Sequence, residues 1–296
     1  MRSISVVTLF LGALASMAFG APNLRYSNLD QTGVRLVTPD SIAFLPLLHS
    51  RVNESAMAPL HSLLPYTVIV KNESQRAVAA ITLIWSYKNK QGRPITNTTV
   101  HFTLAADHRQ MLRVGDMWIL TPVHAVNQAV QTGRFSMIAM ADPRLQQTLL
   151  TDFAAQADIG ISLDCLVFED GELIGPDRAL TAAYLNGKLR ARKEIDEAVR
   201  NLSSDGLRAF LAQNSALGLP PLSVAPASSP VPATYEENWY RRTLKETCAH
   251  YLALIKGRPS GDVGSFQTDA QAQPPMALIP AIRRLHTRIA DARSAG

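Results

Sequence analysis

The spacing of apolar residues changes partway along this chain, and no single packing mode serves both patterns. Up to about residue 172 the strong signals are short runs in which apolar and polar side chains alternate, the period of a half-buried strand. From Leu180 onwards apolar positions recur at Tyr184, Gly187, Ala191, Ile195, Val199 and Leu202, the period of an amphipathic helix.

The strand signals run over 64–72, 78–87, 98–104, 110–114, 134–140 and 159–168, with polar turn residues between them. Ala79, Ile81, Leu83, Trp85 and Tyr87 share one face of the second run. Asp142-Pro143 marks the start of a short helix through Leu145, Leu149 and Phe153. Residues 118–130 have no clean period. In the helical half, Ser204 or Asp205 caps a helix carrying Leu207, Phe210 and Leu211. A further stripe comprises Tyr240, Leu244, Cys248, Tyr251, Leu252 and Ile255, residues 257–275 read as loop, and a weak last helix starts at Leu278 or Ala281. The expected class is α+β: an antiparallel β-sandwich over 33–175, a helical segment over 178–217, a Pro/Ser/Ala-rich connector over 218–234 and a C-terminal helical segment over 235–293.

Residues 1–20 read as a signal peptide. Arg2 supplies the positive start, 4–14 the apolar run, and Ala18 and Gly20 the small side chains that set cleavage before Ala21. The apolar stretch is near the lower limit for a bilayer span, about 17 residues, but it lacks a basic flank and contains the cleavage site. The expected product is secreted or periplasmic, with no membrane span after cleavage.

The 29 basic against 24 acidic residues give a mildly basic chain, and loss of Arg2 leaves 28 against 24, a net +4. The densest basic run, Lys188 to Lys193, reads as a solvated helix face diluted by Glu194, Asp196 and Glu197. Aromatic residues do not interleave with the basic ones, so nucleic acid is not an expected partner. The two cysteines, Cys165 and Cys248, allow two readings. In an oxidising compartment they form a disulfide that would stabilise the fold by about 4 kcal/mol in the chain-entropy model. Otherwise they are two buried thiols behaving as small apolar side chains. Pairing requires the strand carrying Cys165 to touch the helix carrying Cys248.

Catalytic constellations are sparse. The acidic group Asp164, Glu169, Asp170, Glu172 and Asp177 is the best metal candidate, yet it fits no EF-hand loop, and strand alternation would send its members to opposite faces. No metal, cofactor or catalytic residue is therefore expected. None of the seven histidines pairs with another at i, i+4, and His250 and Cys248 would point to different sides of a helix. The nucleophile-elbow, Ser-x-x-Lys and phosphate-loop patterns are missing. Trp118, Trp239 and Tyr240 are the candidate ligand platform, for sugar stacking, against the commoner reading that such rings are core. The four sequons, at Asn53, Asn72, Asn97 and Asn201, would be glycosylation sites in a eukaryotic secretory pathway and read as turn composition in a bacterium, the favoured reading.

Two stretches carry a resemblance. Val68-Ile69-Val70-Lys71-Asn72-Glu73-Ser74 followed by Ala80-Ile81-Thr82-Leu83-Ile84-Trp85, and later Leu163-Asp164-Cys165-Leu166-Val167-Phe168-Glu169-Asp170-Gly171 with Gly175-Pro176-Asp177, resemble exported bacterial proteins with an immunoglobulin-like β-sandwich followed by helices. The resemblance covers about half the chain and implies a fold and an envelope setting, with no activity attached. Asp170-Gly171 has the chemistry of a type I′ hairpin turn, and Trp85 resembles the tryptophan that packs between two sheets. The leading functional expectation is a non-catalytic interaction or structural protein of the envelope or exterior, binding a protein or glycan. The competing one is an envelope or extracellular hydrolase whose site is assembled from distant residues.

Overall fold

The computed structural model describes residues 23–29, 32–52, 57, 60–89, 91–107, 110–123, 126–127, 130, 143–156, 158–219, 232–257, 262–272 and 277–284. The leader, the 134–140 strand, the Asn53 sequon and most of the connector lie outside them.

The elements run β1 (Asn23–Ser27), β2 (Val34–Val37), α1 (Phe44–His49), a 3-10 turn (His61–Tyr66), β3 (Val68–Asn72), β4 (Val78–Lys88), β5 (Pro94–Phe102), β6 (Met117–Leu120), α2 (Pro143–Ala154), β7 (Asp158–Phe168) and β8 (Glu172–Ile174). The helical half follows as α3 (Thr181–Asn201), α4 (Ser204–Ser215), α5 (Pro232–Lys256) and α6 (Val263–Ala272), and the chain returns to the sheet as β9 (Arg283–Arg284). The class is α+β, with antiparallel sheets and a helical C-terminal region.

One sheet has the order β2-β3-β6, and the other the order β5-β4-β7-β8-β9, with β1 also on β7. Two pairings are parallel, β1 on β7 and β8 on β9; the rest are antiparallel. Alternation along the strands sorts side chains into layers. Val68 and Val70 of β3, Trp118 and Leu120 of β6, Ile81, Leu83 and Trp85 of β4, and Ile159, Ile161 and Leu163 of β7 form one cluster shared by both sheets. Each such fully buried aliphatic or aromatic side chain contributes roughly 1.5–3 kcal/mol. Trp85 is fully buried there, and its indole Nε1 donates to the Tyr66 carbonyl at 3.2 Å, so its one polar atom is satisfied. Ile69 and Ile119, on the opposite face of the small sheet, pack with Phe44 and Leu48 of α1.

The helical half hangs on α3. Its 21 residues span about 31 Å, enough to serve two cores. Leu185 and Leu189 pack on Ala80, Cys165 and Val167 of the large sheet. Ala191, Ile195 and Val199 pack with Leu207 and Leu211 of α4, Leu244 and Cys248 of α5, and Phe266 of α6.

Several expectations change. The weakly alternating β1, β2 and β6 are strands, whereas 110–114 contributes only an isolated bridge, Leu112 with Val78. Ala79 turns away from Ile81 because the β4–β7 register slips between Val78 and Ala80. Ser203, one residue before the expected caps, accepts from the Gly206 amide. Residues 263–272, read as loop, form α6, because Val263 and Phe266 close the helical core. Helix α5 starts at Pro232, ahead of the 235 boundary. Residues 277–284 are extended, so the last helix does not begin at Leu278 or Ala281. At the β7–β8 hairpin only Gly171 has positive φ (+80°); the Gly171 amide bonds the Phe168 carbonyl, giving a three-residue turn ending in a left-handed glycine instead of type I′.

Candidate functional site

The outer face of the six-stranded sheet is divided along its length. Toward one end Ala80, Cys165 and Val167 lie under α3. Toward the other the strands continue past the helix and carry small polar residues. The register aligns Arg25 of β1, Gly160 of β7, Ser86 of β4 and Thr96 of β5 in one row, and Ser27, Ser162, Ile84 and Thr98 in the next. Over this end lies a cleft of about 670 Å³, bordered by Arg25, Lys88, Arg178 and Asp158 and floored by Ser27, Ser86, Gly160 and Ser162. Gly160 keeps the floor low: a Cβ there would come within 2.7 Å of the Ser86 Oγ. That hydroxyl donates to the Gly160 carbonyl at 3.3 Å. Asp158 pairs with Arg25 at 3.4 Å and accepts from the Asn23 amide nitrogen at 3.1 Å.

The boundary between the covered end and the bare end, over which no described element lies, is a polar joint. The β4–β7 register slips again between Thr82 and Leu83, leaving Asp164 as the extra residue of a bulge. The bulge lets Leu166 and Phe168 return to the inner core while Asp164 aims at the turn before α3. Fully buried, Asp164 accepts from the amides of Arg178 (3.1 Å) and Ala179 (3.0 Å) and from Arg178 Nε (3.2 Å). Asp177 accepts from the Thr181 amide at 2.5 Å and pairs with Arg284 at 3.2 Å. These bonds hold two non-glycine residues, Asp177 and Leu180, in the left-handed region at φ +54° and +57°, a conformation costing roughly 1 kcal/mol or more each. Gly175, at φ +123°, is required here, since a Cβ would lie 2.3 Å from the Asp164 carbonyl.

Ligand atoms of Asp164, Cys165 and Asp177 lie within 4.8 Å of one another. Burial, reinforced by both carboxylates, pushes the Cys165 thiol up to about 12 despite hydroxyl contacts from Thr181 and Thr82. The thiol therefore stays protonated, and both carboxylates already satisfy backbone donors, so the trio fastens the chain. The remaining acids of the sequence group sit elsewhere. Asp170 and Glu172 hold Arg76 at 2.6 Å each, and its guanidinium stacks on Phe168 at 4.1 Å.

The other sequence candidates are not brought together. Both cysteines are free thiols. In place of the disulfide, Cys165 packs with Leu185 and Leu189 while Cys248 packs with Ala191 and Ile195, in separate cores along α3. Trp118 is not a platform; it is 7% exposed in the inter-sheet core, edge-on to His101 at 4.4 Å. Trp239 meets Tyr184 edge-on at 4.7 Å, and the Lys188 ammonium lies 5.1–5.6 Å from the rings of Tyr184, Trp239 and Phe102. Tyr240 is covered by the Arg190 guanidinium at 3.8 Å and donates to Glu194. These rings are occupied by the chain's own cations. The basic run is correspondingly less solvated than expected: burial lowers the Lys188 pKa, partly offset by Glu246. Asn72 of the second sequon is fully buried, its amide donating to the Arg76 and Leu112 carbonyls, which closes it to glycan attachment.

Sequence reasoning missed the cleft because its residues come from four separate strands and the turn before α3, and bear no motif. The usable signal was the change to Ser86 and Lys88 at the end of β4, and to Gly160 and Ser162 at the start of β7. No helix among the described residues is long and apolar enough to cross a membrane. Comparison with family models, curated proteins and solved structures returns no match for the chain.

Proposed function

We propose that this chain is an exported, non-catalytic interaction protein of the cell envelope or exterior, which holds a glycan in the cleft over the bare end of the six-stranded sheet. The export half of the reading rests on the leader pattern of residues 1–20. We read the facing sheets around Trp85 as an immunoglobulin-like sandwich, which fits that setting. The observation that carries the binding half is the cross-strand row of small and hydroxyl-bearing residues, Gly160, Ser86, Ser27 and Ser162, on a face whose continuation is apolar and covered. Fixed hydroxyls and guanidinium groups suit a ligand that is itself coated with hydroxyls.

The chemistry of the cleft favours holding over cleaving. Two-carboxylate glycoside hydrolysis needs a facing acid pair. Among the described residues, the carboxylate lining this cleft is Asp158, already shared between Arg25 and Asn23. Asp164 and Asp177 are committed to backbone amides beneath the joint.

The test is retention of polysaccharide by the immobilised chain. The expected result is capture by the wild type and loss in Gly160→Leu and in Ser162→Tyr, either of which fills the floor. Equal capture by both variants, with their folds intact by circular dichroism, would overturn the assignment of this cleft.

A further inference from the structure

We infer that the ligand of the cleft is an acidic glycan, one bearing carboxylate or sulfate groups on its sugar rings; this rests on the reading that the cleft holds a glycan at all. Among the described residues, three cations border the cleft, Arg25, Lys88 and Arg178, against one carboxylate on its lining, Asp158. Asp158 is engaged by Arg25 and by Asn23, and the buried Asp164 pairs with Arg178 from beneath at 3.2 Å, so the cleft retains a net positive charge, with Lys88 as its cation outside these two pairs. Arg178 is fixed from behind: its Nε and backbone amide are bonded to the buried Asp164, which presents the side chain beside the cleft at little further entropic cost. A guanidinium so placed matches a planar carboxylate or a sulfate through paired N–H donors.

The position of the cleft separates a saccharide from an acidic peptide. Extended peptides gain affinity at a sheet edge, where backbone N–H and C=O groups are open. The floor of this cleft is the face of β4 and β7, each paired on both sides here, with the edge strands β1 and β5 at its flanks. That floor offers side-chain hydroxyls with cations around it and Tyr26, Tyr87 and Pro94 beside them, and its own backbone ladder is already paired. A ligand displaying its hydroxyls and charges along its length satisfies that surface better than one whose main polar groups are amides.

Binding of polygalacturonate, dextran sulfate, neutral dextran and poly-glutamate to the full chain without its leader, at low and physiological ionic strength, tests this. The two acidic polysaccharides are expected to bind at least about tenfold more tightly than dextran, weakening as salt rises. Arg25→Ala/Lys88→Ala, which changes exposed side chains only, is expected to weaken them about tenfold or more. Lys193→Ala, a cation outside the cleft, is expected to leave them unchanged. Equal binding of dextran would overturn the acidic preference and leave the glycan reading standing. Failure of all three polysaccharides would overturn both. Poly-glutamate binding as tightly as the acidic polysaccharides would overturn the saccharide assignment. If Lys193→Ala weakens binding as much as the double variant, the attraction is diffuse and the cleft is not its seat.

Discussion

The two ends of the six-stranded sheet's outer face are made from the same strands and put to different uses. Under α3 the face presents Ala80, Cys165 and Val167, small or branched and packed against Leu185 and Leu189. Beyond α3 it presents Ser86, Gly160 and Ser162 beneath an open cleft. Within four residues on β7 the side chains pass from polar and accessible to apolar and buried. The changeover falls at the Asp164 bulge, where the chain is also fastened to the start of α3. One residue thus sets how far the helix extends over the sheet, and with it how much of the face stays open.

The most damaging way to break this contrast is to release the joint. Asp164→Ala leaves the Arg178 and Ala179 amides without their acceptor and removes the counterweight to the left-handed Leu180. Bonds from backbone donors to a buried carboxylate are individually worth about 1.5–3 kcal/mol. A loss of roughly 3 kcal/mol or more is expected in urea unfolding, with Asp164→Asn recovering part of it. A change below about 1 kcal/mol would mean that α3 is seated by its apolar contacts alone.

A smaller effect is expected further along the same helix. Gly187 lets α3 and α5 approach so closely that a Cβ would lie 2.4 Å from the Glu236 carbonyl and 2.9 Å from the Tyr240 amide nitrogen. Gly187→Ala raises intrinsic helix propensity by about 1 kcal/mol, yet backbone cannot yield as a side-chain tip can. The clash is expected to prevail, for a net loss of about 1–3 kcal/mol in the same measurement. A stabilised variant would show that the two helices separate freely, and that α3 owes its place to the sheet.

What could be read from the sequence follows the strength of the local pattern. Strands β3, β4 and β7 and helices α3 and α5 were legible because many residues repeat one period. The bulges at Ala79 and Asp164 were not, since a single extra residue shifts the face of everything after it while leaving composition unchanged. The acidic group was visible, but its division into a buried fastener and an Arg76 clamp depends on partners far along the chain. The cysteines illustrate the same limit. Each sits on an apolar stripe, as the pattern indicated, and only the path of α3 decides that the stripes face different cores. The cleft left the faintest trace, because an open surface has no internal packing partner to impose a period.

The bare end supplies the smallest effect and the most discriminating one. If Ser86 and Ser162 serve the fold, their replacement should cost stability as changes at the covered end do. If they serve a ligand, the fold should scarcely respond. The Ser86 side chain is exposed and that of Ser162 half-buried, and the bond from Ser86 to the Gly160 carbonyl is long at 3.3 Å. Ser86→Ala and Ser162→Ala are each expected to stay within about 0.5 kcal/mol of the wild type in urea unfolding, while polysaccharide retention falls. A stability loss above about 1 kcal/mol in either would place that serine among the residues that hold the sheet together, and the hydroxyl row would then need no ligand to account for it.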